Sequence, residues 1–290
     1  MASRRDPSLR TAVVFVVLAL GFAGLYWVVV ALSRSGVVPF SMEQAGFARK
    51  SIAGSIVWLL LSNFGPALSG VLALALCRGR EGLAGLGRSL VRWRVPGWLY
   101  VAAWFGILVN AGVVLVGWPA GVLRFDGAAF SPGKFLLIFF AMALFDGPLG
   151  EEIGWRGVLL PALLRRFSPL GASVAVGLVW YLWHVPLYAA EGRLQSPGAH
   201  LLFLFGCLAL SVIMTWFFLR SGGSTLLMVY LHDASNYSTF LRSRLFPRVA
   251  DSPLPGAAYA VVLLVLAGLA AAGLYREGRE GREGHQAAEA

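Results

Sequence analysis

Charged residues are scarce in this sequence for its length. Asp, Glu, Lys and Arg make up 13% of the 290 residues, whereas a soluble domain carries about 25%. Hydrophobic residues account for 58% of the chain, and the mean hydropathy is +0.73. This composition excludes an ordinary soluble domain and indicates an integral membrane protein.

Cysteine is also rare. The sequence contains two, Cys77 and Cys207, which lie in separate apolar runs and do not form a C-x-x-C motif. This number and spacing exclude a disulfide framework and a thiolate metal site. Both residues are therefore expected to pack as small hydrophobic side chains.

The net charge is +10, but its distribution does not indicate a nucleic-acid partner. The basic residues fall in short loops between apolar runs, where membrane topology explains them. The loops on the side of the two termini carry the larger share, which predicts that both termini are cytoplasmic. Lysine occurs only at Lys50 and Lys134. The strong preference for arginine favours a bacterial protein, so we expect a multi-pass protein of the bacterial plasma membrane.

Long apolar runs define the predicted fold. A transmembrane helix needs about 20 apolar residues, and eight runs qualify: 11–32, 52–77, 98–118, 134–158, 170–190, 200–219, 224–241 and 257–275. The run at 224–241 is polar and must lie inside the bundle. We predict an all-α polytopic membrane helix bundle of about eight transmembrane helices. A cytoplasmic N-terminus (1–10), one bundle (11–275) and a disordered cytoplasmic tail (276–290) make up the chain.

Several ionisable and polar side chains lie within these predicted spans. Charged residues at the centre of a bilayer cost roughly 2.5–3.5 kcal/mol each on insertion scales. Pairing, enclosed water or a chemical role must therefore account for them. The residues concerned are Glu151, Glu152, Arg156, His184, His232 and Asn236.

Glu152 and Arg156 are four residues apart, so they share a helix face in the favourable acid-first order. This pair predicts a supporting role for both. Glu151 points about 100° away around the helix and has no such partner, which makes it the candidate proton acceptor. The alternative is a buried ion-pair cluster that only specifies packing.

Two histidines complete the candidate site. His184 follows the aromatic stretch that begins at Trp180, and His232 lies four residues before Asn236. Because positions four apart share a helix face, a neutral imidazole at 232 and the amide at 236 could donate hydrogen bonds to one point. Two converging donors are what an oxyanion requires.

These motifs resemble the CAAX prenyl protease 2 family, the ABI or CPBP membrane endopeptidases. Residues 151–157 match its E-E-x-x-x-R motif, His184 ends its F-x-x-x-H motif, and His232 and Asn236 match its H-x-x-x-N motif. The resemblance covers about residues 50–240, with a core at 134–241. Trp180 replaces the motif phenylalanine, which keeps an aromatic wall and changes only the shape of the pocket.

The resemblance implies catalytic roles for four residues. Glu151 and His184 would activate a water, while His232 and Asn236 would stabilise the oxyanion and Arg156 would hold the glutamate pair. The family is described both as glutamate-type and as metal-dependent. A glutamate and two histidines also form a workable zinc set with an open fourth position, so Glu151, His184 and His232 are candidate metal ligands and the cofactor stays open.

The predicted function is therefore an intramembrane endopeptidase that cuts a membrane-associated protein or lipidated peptide. One alternative is a non-catalytic membrane factor, such as a bacteriocin-immunity or chaperone-like protein, in which the polar cluster only organises the bundle. Another is a proton- or metal-coupled transporter, because such proteins also carry intramembrane Glu and His. A transporter predicts an inverted repeat, and residues 11–118 and 134–241 show none by inspection.

Overall fold

The protein is mainly helical in the residues that its structure, a computed structural model, describes: 7–45, 48–117, 125, 131–192, 195–246 and 253–289. A short antiparallel ribbon pairs Gln44–Ala45 (β1) with Ala48–Arg49 (β2). The remaining described elements are helices and their connections. The prediction of an all-α polytopic bundle is confirmed.

Fourteen helical segments are described. In chain order they are α1 (Pro7–Arg34), α2 (Ile52–Trp58), a π-helical turn π1 (Leu59–Asn63), α3 (Gly65–Leu90), α4 (Gly97–Ala102), α5 (Phe105–Gly117), α6 (Pro132–Phe145), α7 (Pro148–Gly154), a second π-helical turn π2 (Trp155–Leu159), α8 (Leu160–Leu164), α9 (Pro169–Ala190), α10 (Pro197–Arg220), α11 (Thr225–Leu245) and α12 (Pro253–Glu289).

Six helical segments of the described chain are long and apolar enough to cross a membrane, and a seventh qualifies if the bent pair Ile52–Asn63 and Gly65–Leu90 forms one span. Helix α11 corresponds to the seventh predicted run, 224–241, and is too polar for this criterion. Its polar side chains are buried, including His232, Asp233 and Ser238. As the sequence predicts, α11 lies inside the bundle rather than against lipid.

The outer surface of the bundle is apolar. Val17 on α1, Leu108 on α5, Leu137 on α6 and Leu269 on α12 are each more than 60% exposed. Polar side chains are buried instead, and Glu152 and Arg156 are completely inaccessible. This inverted distribution is the one expected of a protein whose surroundings are lipid, since contiguous apolar surface of this extent is rare on soluble monomers.

The predicted span 134–158 is not one continuous α-helix. Helix α6 ends at Phe145, and α7 begins at Pro148 after Gly147, whose φ of 109° is open essentially only to glycine. The π2 turn then interrupts the helix after Gly154. The apolar run hides this break, because hydrophobicity continues across it while the backbone direction changes.

Helix α7 packs very closely against α3 and π1. A Cβ atom on Gly154 would lie 2.6 Å from the carbonyl oxygen of Pro66, and one on Gly150 would overlap the carbonyl oxygen of Asn63. The two glycines are four residues apart, so they form a small-residue contact face of the kind that lets membrane helices approach closely. This contact fixes the position of the intervening glutamate pair.

Helix α12 continues to Glu289. The sequence predicts a disordered tail at residues 276–290, whereas the backbone of residues 276–289 is helical. The apolar run that favours the helix ends near residue 275, and the Arg-Glu-Gly repeats beyond it extend the same backbone conformation.

Candidate active site

The glutamate pair lies in the short helix α7, where both carboxylates are buried. Glu151 is 7% exposed and Glu152 is inaccessible. Because Glu151 lies in the first turn of α7, its carboxylate is close to the positive end of the helix dipole. The broken geometry of α6 and α7 therefore presents two acids inside the bundle.

Glu152 receives two hydrogen bonds on the same oxygen. Its Oε1 atom lies 2.9 Å from Nη1 of Arg156 and 2.8 Å from Nδ1 of His232. The pair with Arg156 is the one that the four-residue spacing predicts. The bond to His232 was not predicted, and it connects α7 with α11.

This bond determines how His232 can act. A carboxylate paired with Arg156 only accepts, so Nδ1 of His232 carries the proton that it shares with Glu152. In the neutral imidazole the Nε2 atom is then an acceptor. The predicted donation from a neutral imidazole to an oxyanion does not fit this tautomer, and only an imidazolium could donate through Nε2.

Glu151 is held by two tryptophans. Its Oε2 atom accepts from Nε1 of Trp180 at 2.5 Å and from Nε1 of Trp155 at 3.3 Å. Both donors are neutral indoles, which need acceptors when they are buried, so they differ from the cationic partner that Glu152 has in Arg156. Its other oxygen, Oε1, faces Gly147, where a Cβ atom would lie only 2.7 Å away.

His184 lies beside the same tryptophan. Its Nδ1 atom is 2.9 Å from the backbone carbonyl oxygen of Trp180. A carbonyl can only accept, so Nδ1 carries the proton, and Nε2 of the neutral ring is an acceptor. Aromatic rings surround the imidazole, with Trp183, Tyr188 and Phe203 at centroid distances of 4.6, 5.0 and 5.1 Å.

Trp180 brings these groups together. Its ring centroid is 5.8 Å from that of His184 and 5.4 Å from that of His232. The guanidinium carbon of Arg156 lies 4.8 Å from the ring, within the range of a cation–π contact. Side chains from α7, π2, α9 and α11 thus meet around one indole.

Two further residues of α11 lie near this cluster. Asn236 is half-buried, one helical turn beyond His232. Asp233 is inaccessible, and neither carboxylate oxygen has a hydrogen-bond partner within the described part of the chain. The sequence predicts a supporting role at most for Asp233.

The proposed zinc set does not fit this geometry. Among the described residues, no three His, Cys, Asp or Glu side chains are grouped closely enough to hold a metal ion. Glu151, His184 and His232 therefore do not form a three-ligand site in this structure.

Sequence reasoning missed three residues that shape the site. Trp155 lies four residues after Glu151, so the helical spacing that predicts the Glu152 and Arg156 pair could also have found it. The sequence marks Trp180 only as a substitution for the phenylalanine of the F-x-x-x-H motif. No sequence pattern indicates a role for Gly147, because its importance comes from its positive φ and its contact with the Glu151 carboxylate.

The fold and the site together define a polytopic membrane protein with a buried cluster of carboxylates and histidines. Residues 132–238 match the family model described as Type II CAAX prenyl endopeptidase Rce1-like. The "CAAX prenyl protease 2" of Methanococcus maripaludis is 35% identical over 113 residues, which are 37% of this chain and 39% of that protein. These matches confirm the resemblance to the CAAX prenyl protease 2 family over residues 132–238, which contain Glu151, His184, His232 and Asn236.

Proposed function

We propose that the protein is an intramembrane endopeptidase that hydrolyses a peptide bond of a membrane-associated protein or lipidated peptide. The observation that supports this most strongly is that Glu151 and His184 contact the same residue. Trp180 donates to Glu151 through its indole and accepts from His184 through its carbonyl oxygen. A carboxylate and an acceptor nitrogen are thus held inside the bundle, and both can accept a proton from a water that attacks a peptide bond.

In this proposal Glu151 and His184 act as the general bases. A water between them loses a proton to one of the two, and its oxygen attacks the peptide carbonyl carbon. The carbon–nitrogen bond of the tetrahedral intermediate then breaks, and the departing nitrogen takes up the proton. The products are a new carboxyl terminus and a new amine, so the reaction consumes one water.

His232 and Asn236 stabilise the negative oxygen of the intermediate in this proposal. The bond from Nδ1 to Glu152 requires His232 to act as an imidazolium, with Nε2 as the donor. The carboxylate of Glu152 supports that positive charge, and Arg156 holds the carboxylate in turn. Glu152 and Arg156 therefore support His232, whereas Glu151 acts as a base.

Two observations support a substrate class: the position of the site inside an apolar bundle, and the name of a related protein. The buried cluster lies within a bundle whose outer surface is apolar, which favours a substrate that is itself in the membrane or attached to it. The name of the Methanococcus maripaludis relative refers to a prenylated CAAX sequence. We propose a lipidated or membrane-anchored peptide, with the enzyme in the bacterial plasma membrane and both termini in the cytoplasm.

Comparative proteomics of two strains tests this function. One strain carries the wild-type chain and the other carries Glu151→Gln at a matched level in the membrane. In the wild-type strain, cleavage should give at least one membrane-associated protein a new carboxyl terminus. The variant strain should lack this new terminus. A control strain with Gly206→Ala, where an added Cβ meets open space in α10, should keep it. If the biological effect persists in the variant with no change in any terminus, the protein is a non-catalytic membrane factor instead.

A further inference from the structure

We propose that Trp180 is a positioning residue that fixes both bases of the proposed reaction at once, an inference that rests on the proposed endopeptidase function. Its indole N–H is 2.5 Å from Oε2 of Glu151. Its backbone carbonyl oxygen is 2.9 Å from Nδ1 of His184. One residue therefore orients the carboxylate on α7 through its side chain and the imidazole on α9 through its main chain.

The indole can perform this role because it cannot turn freely. Trp180 is 4% exposed. The guanidinium of Arg156 lies 4.8 Å from its ring, and the imidazole of His232 meets it edge-on at a centroid distance of 5.4 Å. Packing and cation–π contacts hold the ring, so the N–H direction is set before any substrate arrives.

The hydrogen bond also selects which oxygen of Glu151 is available. Trp155 and Trp180 both donate to Oε2, which leaves Oε1 on the side of Gly147 as the oxygen that a water can approach. Bonds to a carboxylate are charge-assisted and stronger than bonds between neutral groups. The two indoles therefore restrict the carboxylate to one orientation.

Phenylalanine at position 180 would supply the aromatic wall but no donor. The F-x-x-x-H motif that this chain resembles has phenylalanine there, so the bond from the indole to Glu151 is a feature of this sequence rather than of the motif. The effect of this substitution on Glu151 reaches beyond the shape of the pocket.

Trp183 provides a matched control. It lies on the same helix, three residues further on, and is 2% exposed. Within the described residues its buried Nε1 atom has no hydrogen-bond partner. Trp180→Phe and Trp183→Phe therefore remove the same atoms from similarly buried positions, but only the first removes a donor from Glu151.

The kinetic test measures kcat and KM of both variants, in the purified full chain, on a peptide that the strain comparison identifies. A lost hydrogen bond to a charged group corresponds to a decrease in kcat of roughly 10- to 100-fold. We expect this decrease for Trp180→Phe with little change in KM, and a smaller decrease for Trp183→Phe, which trims a ring packed against His184 but keeps the donor to Glu151. Equal effects of the two substitutions would overturn the positioning role while leaving the proposed function intact.

A spectroscopic test does not depend on turnover. With ¹⁵N-labelled tryptophan, each variant identifies its own indole N–H resonance. Glu151→Gln should shift the Trp180 resonance and leave the Trp183 resonance in place, because Trp180 donates to Glu151 and Trp183 does not. An unchanged Trp180 resonance would overturn the inference. If the wild-type chain cleaves no peptide, the proposed function fails, and the positioning role fails with it even when the indole contact is seen.

If Trp180→Phe does not fold, Trp155→Phe takes its place. This substitution removes the weaker donor to the same oxygen, at 3.3 Å, so we expect a smaller decrease in kcat. A Trp155→Phe variant with no decrease would then count against the restriction of Glu151 by indole donors.

Discussion

Oε1 of Glu152 lies 2.8 Å from Nδ1 of His232, and this contact joins two helices that are 80 residues apart in the sequence. The same oxygen accepts from Arg156 at 2.9 Å. All three side chains are buried. The central polar cluster is therefore held by one carboxylate oxygen, with a cation on one side and an imidazole on the other.

Replacing Glu152 with glutamine should destabilise the protein strongly. The substitution leaves the guanidinium of Arg156 buried without its counter-charge, which typically costs about 3–5 kcal/mol of unfolding free energy. Reversible unfolding in mixed detergent micelles measures the change. The control is Glu43→Gln, which breaks an exposed ion pair with Lys50 and should cost less than about 1 kcal/mol. Equal losses in the two variants would show that Glu152 does not hold Arg156.

Replacing Asp233 with asparagine, unlike the substitution at Glu152, should not destabilise the protein. Its carboxylate is inaccessible, and within the described residues it has no hydrogen-bond partner. A buried carboxylate without hydrogen bonds is costly, so Asp233→Asn removes a penalty without removing a hydrogen bond. We expect an unfolding free energy that is unchanged or higher than that of the wild type, measured by the same titration. A loss as large as that of Glu152→Gln would mean that Asp233 has a stabilising partner.

Gly147→Ala should disturb the candidate base directly. The new Cβ would lie 2.7 Å from Oε1 of Glu151, and the φ of 109° is strained for any residue with a Cβ. Backbone strain of this kind costs about 1–3 kcal/mol, and the carboxylate must also move. We expect lower stability and a reduced cleavage rate.

Gly206→Ala is the matched control for that substitution. Gly206 lies inside α10 with open space around its position, and alanine favours a helix over glycine by about 1 kcal/mol. The control should therefore be at least as stable as the wild type. Equal stability and equal cleavage rates of the two variants would contradict the contact between Gly147 and Glu151.

Metal removal should leave cleavage unchanged. Glu151, His184 and His232 do not come together as a ligand group, and no other such group exists in the part of the chain that the structure describes. We expect the same cleavage rate before and after dialysis against a zinc chelator. Loss of activity that returns when zinc is added back would show that these side chains rearrange around a metal.

Local spacing accounts for the parts of the fold and site that the sequence predicts correctly. The apolar runs match the observed helices, and the four-residue spacing of Glu152 and Arg156 predicts their ion pair. The break at Gly147 was missed because hydrophobicity continues through it. The bonds from Trp180 to Glu151 and from His232 to Glu152 depend on how α9 and α11 pack against α7, and no sequence pattern within one helix contains that information.

Hydrolysis of a peptide bond by a water that Glu151 activates is the central claim. The most direct measurement incubates the purified chain, in lipid vesicles, with the identified peptide in ¹⁸O-labelled water, followed by mass spectrometry of the products. The account predicts one heavy oxygen in the new carboxyl terminus with the wild-type chain and no such product with Glu151→Gln. Product formation at the same rate by the Glu151→Gln variant would contradict it.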